Sequence, residues 1–141
     1  MRTFALLICL TGFFGFTVLC HATGEPSNDL HAKAEAYIAT NRFREAIAVY
    51  DLLLEGNPKF ENALNNRGFA YVLTGDMEAA EEDFRSALAL SPDLELSLAN
   101  LASLLINSDR RDEARPIVRK LITSYPENGE YERVWQVLSS R

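Results

Sequence analysis

Asparagine residues are the side chains of this sequence best suited to bind another molecule. Asn66 and Asn100 stand 34 residues apart, and Asn62, Asn65 and Asn107 lie nearby. A primary amide both donates and accepts hydrogen bonds, so a row of amides can pair with the backbone of an extended peptide whatever its side chains. The alternative is that these amides bind local groups or water. It stays open for Asn66 and Asn100 and is favoured for the other three.

Residues for catalysis or metal binding are scarce. The 141 residues include two histidines, His21 and His31, and two cysteines, Cys9 and Cys20. The sequence has no glycine-rich phosphate loop, no Gly-x-Ser-x-Gly turn and no histidine–carboxylate spacing that would hold a metal. It therefore predicts a protein that is not an enzyme, has no metal site and needs no cofactor.

The charge argues against a nucleic-acid partner. Twenty acidic residues against 14 basic ones give a formal charge of −6, whereas binding to phosphates requires clustered Lys and Arg in excess. Two groups of opposite charge fall on the predicted second helices of successive repeats: Glu78, Glu81, Glu82 and Asp83 on a polar face, then Arg111, Arg115 and Arg119. We expect surface ion pairs between them, each worth ~0–1 kcal/mol. A basic face that binds an anionic lipid or polymer is the alternative.

The amino-terminal segment has the pattern of an export signal. Arg2 is followed by seventeen uncharged residues, 4–20, and Cys20-His21-Ala22 resembles a cleavage site. We expect a signal peptide over residues 1–22, removed after Ala22, followed by a polar linker over 23–28. Two alternatives remain open, a retained membrane anchor and a lipoprotein modified at Cys20, although Leu19 is bulkier than lipidation prefers. All three place the domain outside the cytoplasm, in a periplasm or secreted, and any membrane contact would run through this segment alone.

The remaining chain repeats itself every 34 residues. Several positions recur in phase: Pro58, Pro92 and Pro126; Leu30, Leu64 and Leu98; Ala34, Gly68 and Ala102; Ala46, Ala80 and Ala114; Tyr50, Phe84 and Val118. Each unit carries two apolar stripes of helical period, separated by a turn at Asn41-Arg42, Gly75-Asp76 or Asp109-Arg110. We expect helix pairs at 27–60, 61–94 and 95–128, each brought close together by its small residues. Pro116 predicts a bend or a late start in the sixth helix.

A further helix is expected after the third unit. Asn128 is a suitable N-cap, and Tyr131, Val134, Trp135 and Leu138 form one apolar stripe within residues 129–141. This stripe should cover the open end of the stack, because a terminal repeat must hide its core from water.

These features resemble the tetratricopeptide repeat family. The middle unit reproduces the family pattern most fully, with Leu64, Arg67-Gly68, Tyr71, Ala80, Phe84 and Pro92. The resemblance covers about residues 27 to 128. It implies an all-α, right-handed helical-repeat solenoid of three helix pairs, which ends here in the capping helix.

The resemblance also implies a concave groove, lined by the first helix of each pair, that binds a peptide or protein segment. By register we assign the partner-binding positions as Asn62, Asn65, Asn66, Phe69, Val72, Leu96, Asn100, Ser103 and Asn107. His31, Glu35 and Ile38 are the corresponding groove positions of the first unit. Phe69 and Leu96 are expected to be accessible, as part of an apolar patch that would otherwise be core between repeats.

One known use of the family is not expected here. Members that bind the acidic carboxy-terminal tails of cytosolic chaperones use a clamp of two Lys, two Asn and one Arg. The matching positions hold His31, Glu35, Asn66, Leu96 and Asn100, of which only Asn66 fits. The sequence thus predicts a scaffold or assembly factor for another partner. A membrane-tethered subunit of an envelope complex and a holdase chaperone are the alternatives.

Overall fold

The computed structural model describes residues 26–140, in which seven α-helices and no strands occur. The predicted signal segment, 1–22, lies outside the described residues, and so do both cysteines. The helices are α1 (Pro26–Ala39), α2 (Phe43–Gly56), α3 (Glu61–Thr74), α4 (Met77–Leu90), α5 (Glu95–Asn107), α6 (Arg111–Ser124) and α7 (Gly129–Ser139). None of these helices is long and apolar enough to cross a membrane.

The tight turns inside the helix pairs recur in the predicted phase. Asn41, Gly75 and Asp109 have φ values of 58°, 89° and 57°, so the chain reverses through a left-handed residue at equivalent positions. Glycine, asparagine and aspartate are the residues that adopt this conformation most readily. The helices that follow begin at Phe43, Met77 and Arg111, again 34 residues apart. Of the two outcomes predicted from Pro116, the late start is wrong, because α6 begins at Arg111, before the proline and in register with α2 and α4. The bend stays a prediction.

Close packing within the middle pair depends on a missing side chain. A Cβ added to Gly68 would lie 2.8 Å from the ring of Phe84 and 3.2 Å from the carbonyl oxygen of Ala80. Phe84 is fully buried, as is Tyr50 at the same position of the first repeat, while Val118 fills that position in the third. The periodic small and large residues thus form the interlocking core that the sequence predicts.

Each helix packs mainly against its neighbours in sequence, and α3 also contacts α5. This arrangement is an all-α helical-repeat solenoid, in which the first helices of successive pairs lie side by side. The carboxy-terminal end is covered by α7, whose Leu138 is buried and whose Val134 and Trp135 pack against the same core. Asn128 caps α7 by accepting a hydrogen bond from the backbone N–H of Glu130 at 3.3 Å, as its position predicts.

Candidate functional site

A cleft of about 290 Å³ opens between α3 and α5. Its floor and walls combine apolar side chains with small polar ones: Phe69, Val72, Met77, Phe84, Asn100, Ser103, Leu104, Asn107 and Ser108. The contact between α3 and α5 places the cleft between first helices of adjacent repeats. Five of the nine partner-binding positions assigned from the sequence therefore line one depression.

The apolar part of this surface is accessible. Phe69 is 40% exposed and Leu96 is 61% exposed, in agreement with the expectation for both residues. Phe69 lines the cleft, whereas Leu96 lies at the start of α5, outside the cleft lining. Asn62 is also exposed outside the cleft.

The amides form a chain of hydrogen bonds across the α3–α5 junction. Asn65 is only 4% exposed; its Oδ1 accepts hydrogen bonds from Ser97 Oγ at 2.9 Å and Asn100 Nδ2 at 3.1 Å. Its own Nδ2 donates to Asn66 Oδ1 at 3.1 Å. The assignment of Asn65 to the partner-binding surface is corrected here, because its amide is buried and bonded within the protein. Asn66 and Asn100 remain half-buried beside it.

A second pocket of about 290 Å³ lies on the other side of Phe69, between α1 and α3. Six residues line it: Glu35, Ile38, Ala39, Tyr50, Asn66 and Phe69. The hydroxyl of Tyr50 is buried and has no hydrogen-bond partner among the described residues. Burial raises the pKa of Tyr50, and the nearby Asn66 amide opposes this effect in part.

Among the residues that the structure describes, Glu35 supplies the only carboxylate in this second pocket. Its Oε1 lies 3.3 Å from Nε2 of His31, one helical turn earlier, and its side chain is 59% exposed. The His31 ring packs against Phe60, with ring centroids 5.4 Å apart. The sequence placed Glu35 in the groove correctly by register, but it gave no role to Tyr50 beyond the core.

Outside the groove, one arginine joins three helices. Arg67 on α3 donates from Nε and Nη2 to Asp83 on α4 at 2.8 and 2.7 Å, and from Nη1 to Asp51 on α2 at 2.6 Å. Asp83 is 3% exposed, so its prediction as part of a solvated polar face is wrong. Burial raises the pKa of the Asp83 carboxyl, and the Arg67 guanidinium opposes that rise.

The predicted ion pairs between α4 and the third repeat do form, but through a different arginine. Arg110, rather than the three arginines of α6 named from the sequence, bonds to Glu81, and Arg85 lies 3.5 Å from Glu113. Hydrogen bonding from Arg110 lowers the pKa of Glu81. Arg115 instead pairs with Asp112 within α6.

Similarity to known proteins supports this architecture. Two tetratricopeptide repeat models match residues 31–95 and 71–138, which together span most of the chain. Comparison with curated proteins gave no significant match. Across residues 26–140, no group of three or more His, Cys, Asp or Glu side chains could hold a metal ion.

Solved structures with the same fold include three tetratricopeptide domains. The first such domain of Spaghetti (RPAP3), bound to the HSP90 peptide SRMEEVD, is 21% identical with a TM-score of 0.74, covering 80% of this chain and 92% of that one. The Sgt2 domain from Aspergillus fumigatus is 24% identical with a TM-score of 0.71, covering 81% and 78%. The TPR2B domain of yeast Sti1, in its pHsp70 complex, is 17% identical with a TM-score of 0.73, covering 80% and 95%. The chain belongs to the tetratricopeptide repeat family.

Proposed function

We propose that this protein is a non-enzymatic interaction scaffold that holds an extended segment of a partner protein in its groove, outside the cytoplasm. The observation that carries the proposal is the cleft between α3 and α5, where an exposed aromatic ring faces half-buried and exposed polar side chains. An apolar floor can hold a side chain of the partner, while amides and hydroxyls at the rim can bond to its backbone.

Two similar structures support a peptide ligand in general terms, because Spaghetti (RPAP3) is bound to an HSP90 peptide and the Sti1 domain is in a pHsp70 complex. The partner of this chain should differ in charge. The positions that match the carboxylate clamp hold no Lys or Arg here, and Glu35 would repel an acidic tail. The location outside the cytoplasm rests on the signal-like pattern of residues 1–22.

The test compares two substitutions of the same chemical kind. Phe69→Asp replaces the ring that lines both pockets with a carboxylate. Leu52→Asp makes the same kind of change at an apolar residue of α2 that is 56% exposed and lies outside both pockets. After crosslinking in the native host, Phe69→Asp should lose the partner and Leu52→Asp should keep it, with equal helicity in both by circular dichroism. Equal capture by the two variants would contradict the groove assignment.

The same experiment separates the scaffold from the two alternative functions. A scaffold should capture one stoichiometric partner, whereas a holdase, which would also use the exposed Phe69 and Leu96, should capture many clients at low yield. A permanently buried subunit of an envelope complex should purify only as part of that complex. Mass spectrometry of the mature protein identifies a cleaved, retained or lipidated amino terminus.

A further inference from the structure

The pocket between α1 and α3 carries a feature that core packing does not explain. Tyr50 is fully buried, and its hydroxyl lies near the Asn66 amide without forming a hydrogen bond of normal geometry with it or with any other described residue. The same position of the next two repeats holds Phe84 and Val118, which are equally buried and have no hydroxyl. Packing at this position therefore needs no polar atom. Since buried polar groups are normally bonded, an unpartnered hydroxyl on a residue that lines an open pocket points to a ligand that completes it.

The lining of this pocket favours a cation with an apolar stem. Within residues 26–140, Glu35 is its only charged lining residue. Asn66 and Tyr50 supply neutral polar atoms, and Ile38 and Phe69 form apolar walls. An ammonium or guanidinium can donate to the Glu35 carboxylate and to the Tyr50 hydroxyl oxygen. The methylene groups of a lysine or arginine would pack along the apolar walls, and the exposed ring of Phe69 can interact with the cation.

We propose that this pocket receives a lysine or arginine side chain of the partner segment that lies in the groove. The inference rests on the proposed function and specifies the chemistry of its partner. Because Phe69 lines both pockets, the partner segment would place an apolar side chain in the α3–α5 cleft and a basic side chain in the neighbouring pocket. An acidic partner is disfavoured, since its carboxylate would lie next to Glu35.

The test begins with a displayed library of short random peptides, selected on the immobilised protein and filtered for peptides whose binding is lost on Phe69→Ala, which removes the ring without adding a charge. We expect these peptides to be enriched in Lys or Arg. Each basic residue is then replaced by Gln, and the dissociation constants are measured by fluorescence anisotropy. At one basic position of the peptide, replacement by Gln should weaken binding to the wild-type protein by about 5- to 20-fold. The same replacement should weaken binding to the Glu35→Gln variant by less than about twofold.

Two further variants separate binding from stability. Tyr50→Phe should weaken binding of the basic peptides without lowering the melting temperature, because the removed hydroxyl has no partner in the protein. Glu55→Gln changes an exposed acid of α2 outside the pocket and should leave binding unchanged. A hydroxyl that served the fold alone would lower the melting temperature when removed and leave peptide binding intact, which would overturn the proposal.

The possible failures are distinguishable. Groove-binding peptides without basic enrichment, or peptides enriched in Asp and Glu, would overturn the basic pocket and leave the scaffold function standing. If replacing a basic residue of the peptide by Gln weakens binding equally to the wild type and to Glu35→Gln, the role proposed for Glu35 is likewise overturned. If no selected peptide depends on Phe69, the proposed function fails together with this inference.

Discussion

The ion pair at the centre of the middle repeat gives the sharpest prediction for stability. Arg67→Leu removes three hydrogen bonds, two to Asp83 and one to Asp51, which tie α3 to the helices on either side of it in sequence. Asp51 is partly exposed and can be solvated, but Asp83 would be left as a buried carboxylate without its cation. The cost should therefore come mainly from Asp83.

The expected magnitude follows from burial. Breaking a buried pair by removing one partner costs about 3–5 kcal/mol, whereas an exposed pair is worth about 0–1 kcal/mol. A domain of this size is stable by roughly 5–15 kcal/mol, so Arg67→Leu should remove a large part of the free energy of unfolding. Arg133→Leu is the matched control, because the Arg133 side chain is 75% exposed and lies 3.9 Å from Glu130.

Urea unfolding followed by circular dichroism measures both variants. The double variant Arg67→Leu, Asp83→Leu should recover most of the loss, since it no longer buries an unpaired charge. The cost of Arg67→Leu should also shrink between about pH 7 and about pH 4. Burial raises the pKa of Asp83 in the folded protein, and loss of Arg67 raises it further, so the buried carboxyl becomes neutral on mild acidification.

Three results would refute this reasoning: a cost below about 1 kcal/mol for Arg67→Leu, no recovery in the double variant, or a cost that does not change with pH. Any of them would mean that water reaches Asp83 in solution and that the pair behaves as a surface ion pair.

Three other changes test separate parts of the structure. Gly68→Val should lower the free energy of unfolding by about 1–3 kcal/mol in urea titrations, because its Cβ would lie 2.8 Å from a buried ring; Gly129→Ala, which meets open space, should not lower it. Asn65→Ala should cost about 1–3 kcal/mol in the same assay by leaving the buried Ser97 hydroxyl without its acceptor. Burial and a hydrogen bond to a neighbouring carboxylate raise the pKa of Tyr131 to about 12. The contribution of the raised Tyr131 pKa to the free energy of unfolding should be present below the ordinary pKa of about 10 and lost as the pH rises through 12. In an absorbance titration, Tyr131→Phe should remove the ionisation step near pH 12.

Much of the fold could be predicted from local sequence features. The turn positions Asn41, Gly75 and Asp109 follow from residues that tolerate a left-handed backbone, and the 34-residue phase fixes which helices pair. The late helix start predicted from Pro116 is wrong, because backbone hydrogen bonds of Asp109 and Arg110 form the turn from which α6 begins, before the proline is reached.

The errors concern side chains whose partners are distant in sequence. Asp83 falls on the polar side of α4 by periodicity, but Arg67, 16 residues earlier, makes that position a buried ion pair. Register assigned Asn65 to the groove, yet its amide is buried and accepts a hydrogen bond from Ser97, 32 residues later. Helical periodicity identifies a face to within about one residue and contains no information on such partners.

The candidate site was partly visible in the sequence. Register alone placed Phe69 and Ser103 on the same groove, because equivalent positions of stacked repeats lie side by side. The pocket at Tyr50 was missed, although the alignment of Tyr50 with Phe84 and Val118 contains its signal. A single hydroxyl at a position that is otherwise apolar in each repeat indicates a local function, and only the structure shows that Tyr50 lines a pocket.

Site-specific photocrosslinking tests the central claim, that the α3–α5 cleft holds the partner, most directly. A benzophenone amino acid replaces Ser103, which lines the cleft, or Leu52, which lies outside both pockets, and the native host is irradiated. A dominant adduct from position 103 that disappears when Phe69→Asp is added, with no adduct from position 52, is the predicted result. Equal adducts from both positions, or an adduct from position 103 that Phe69→Asp does not change, would contradict the account.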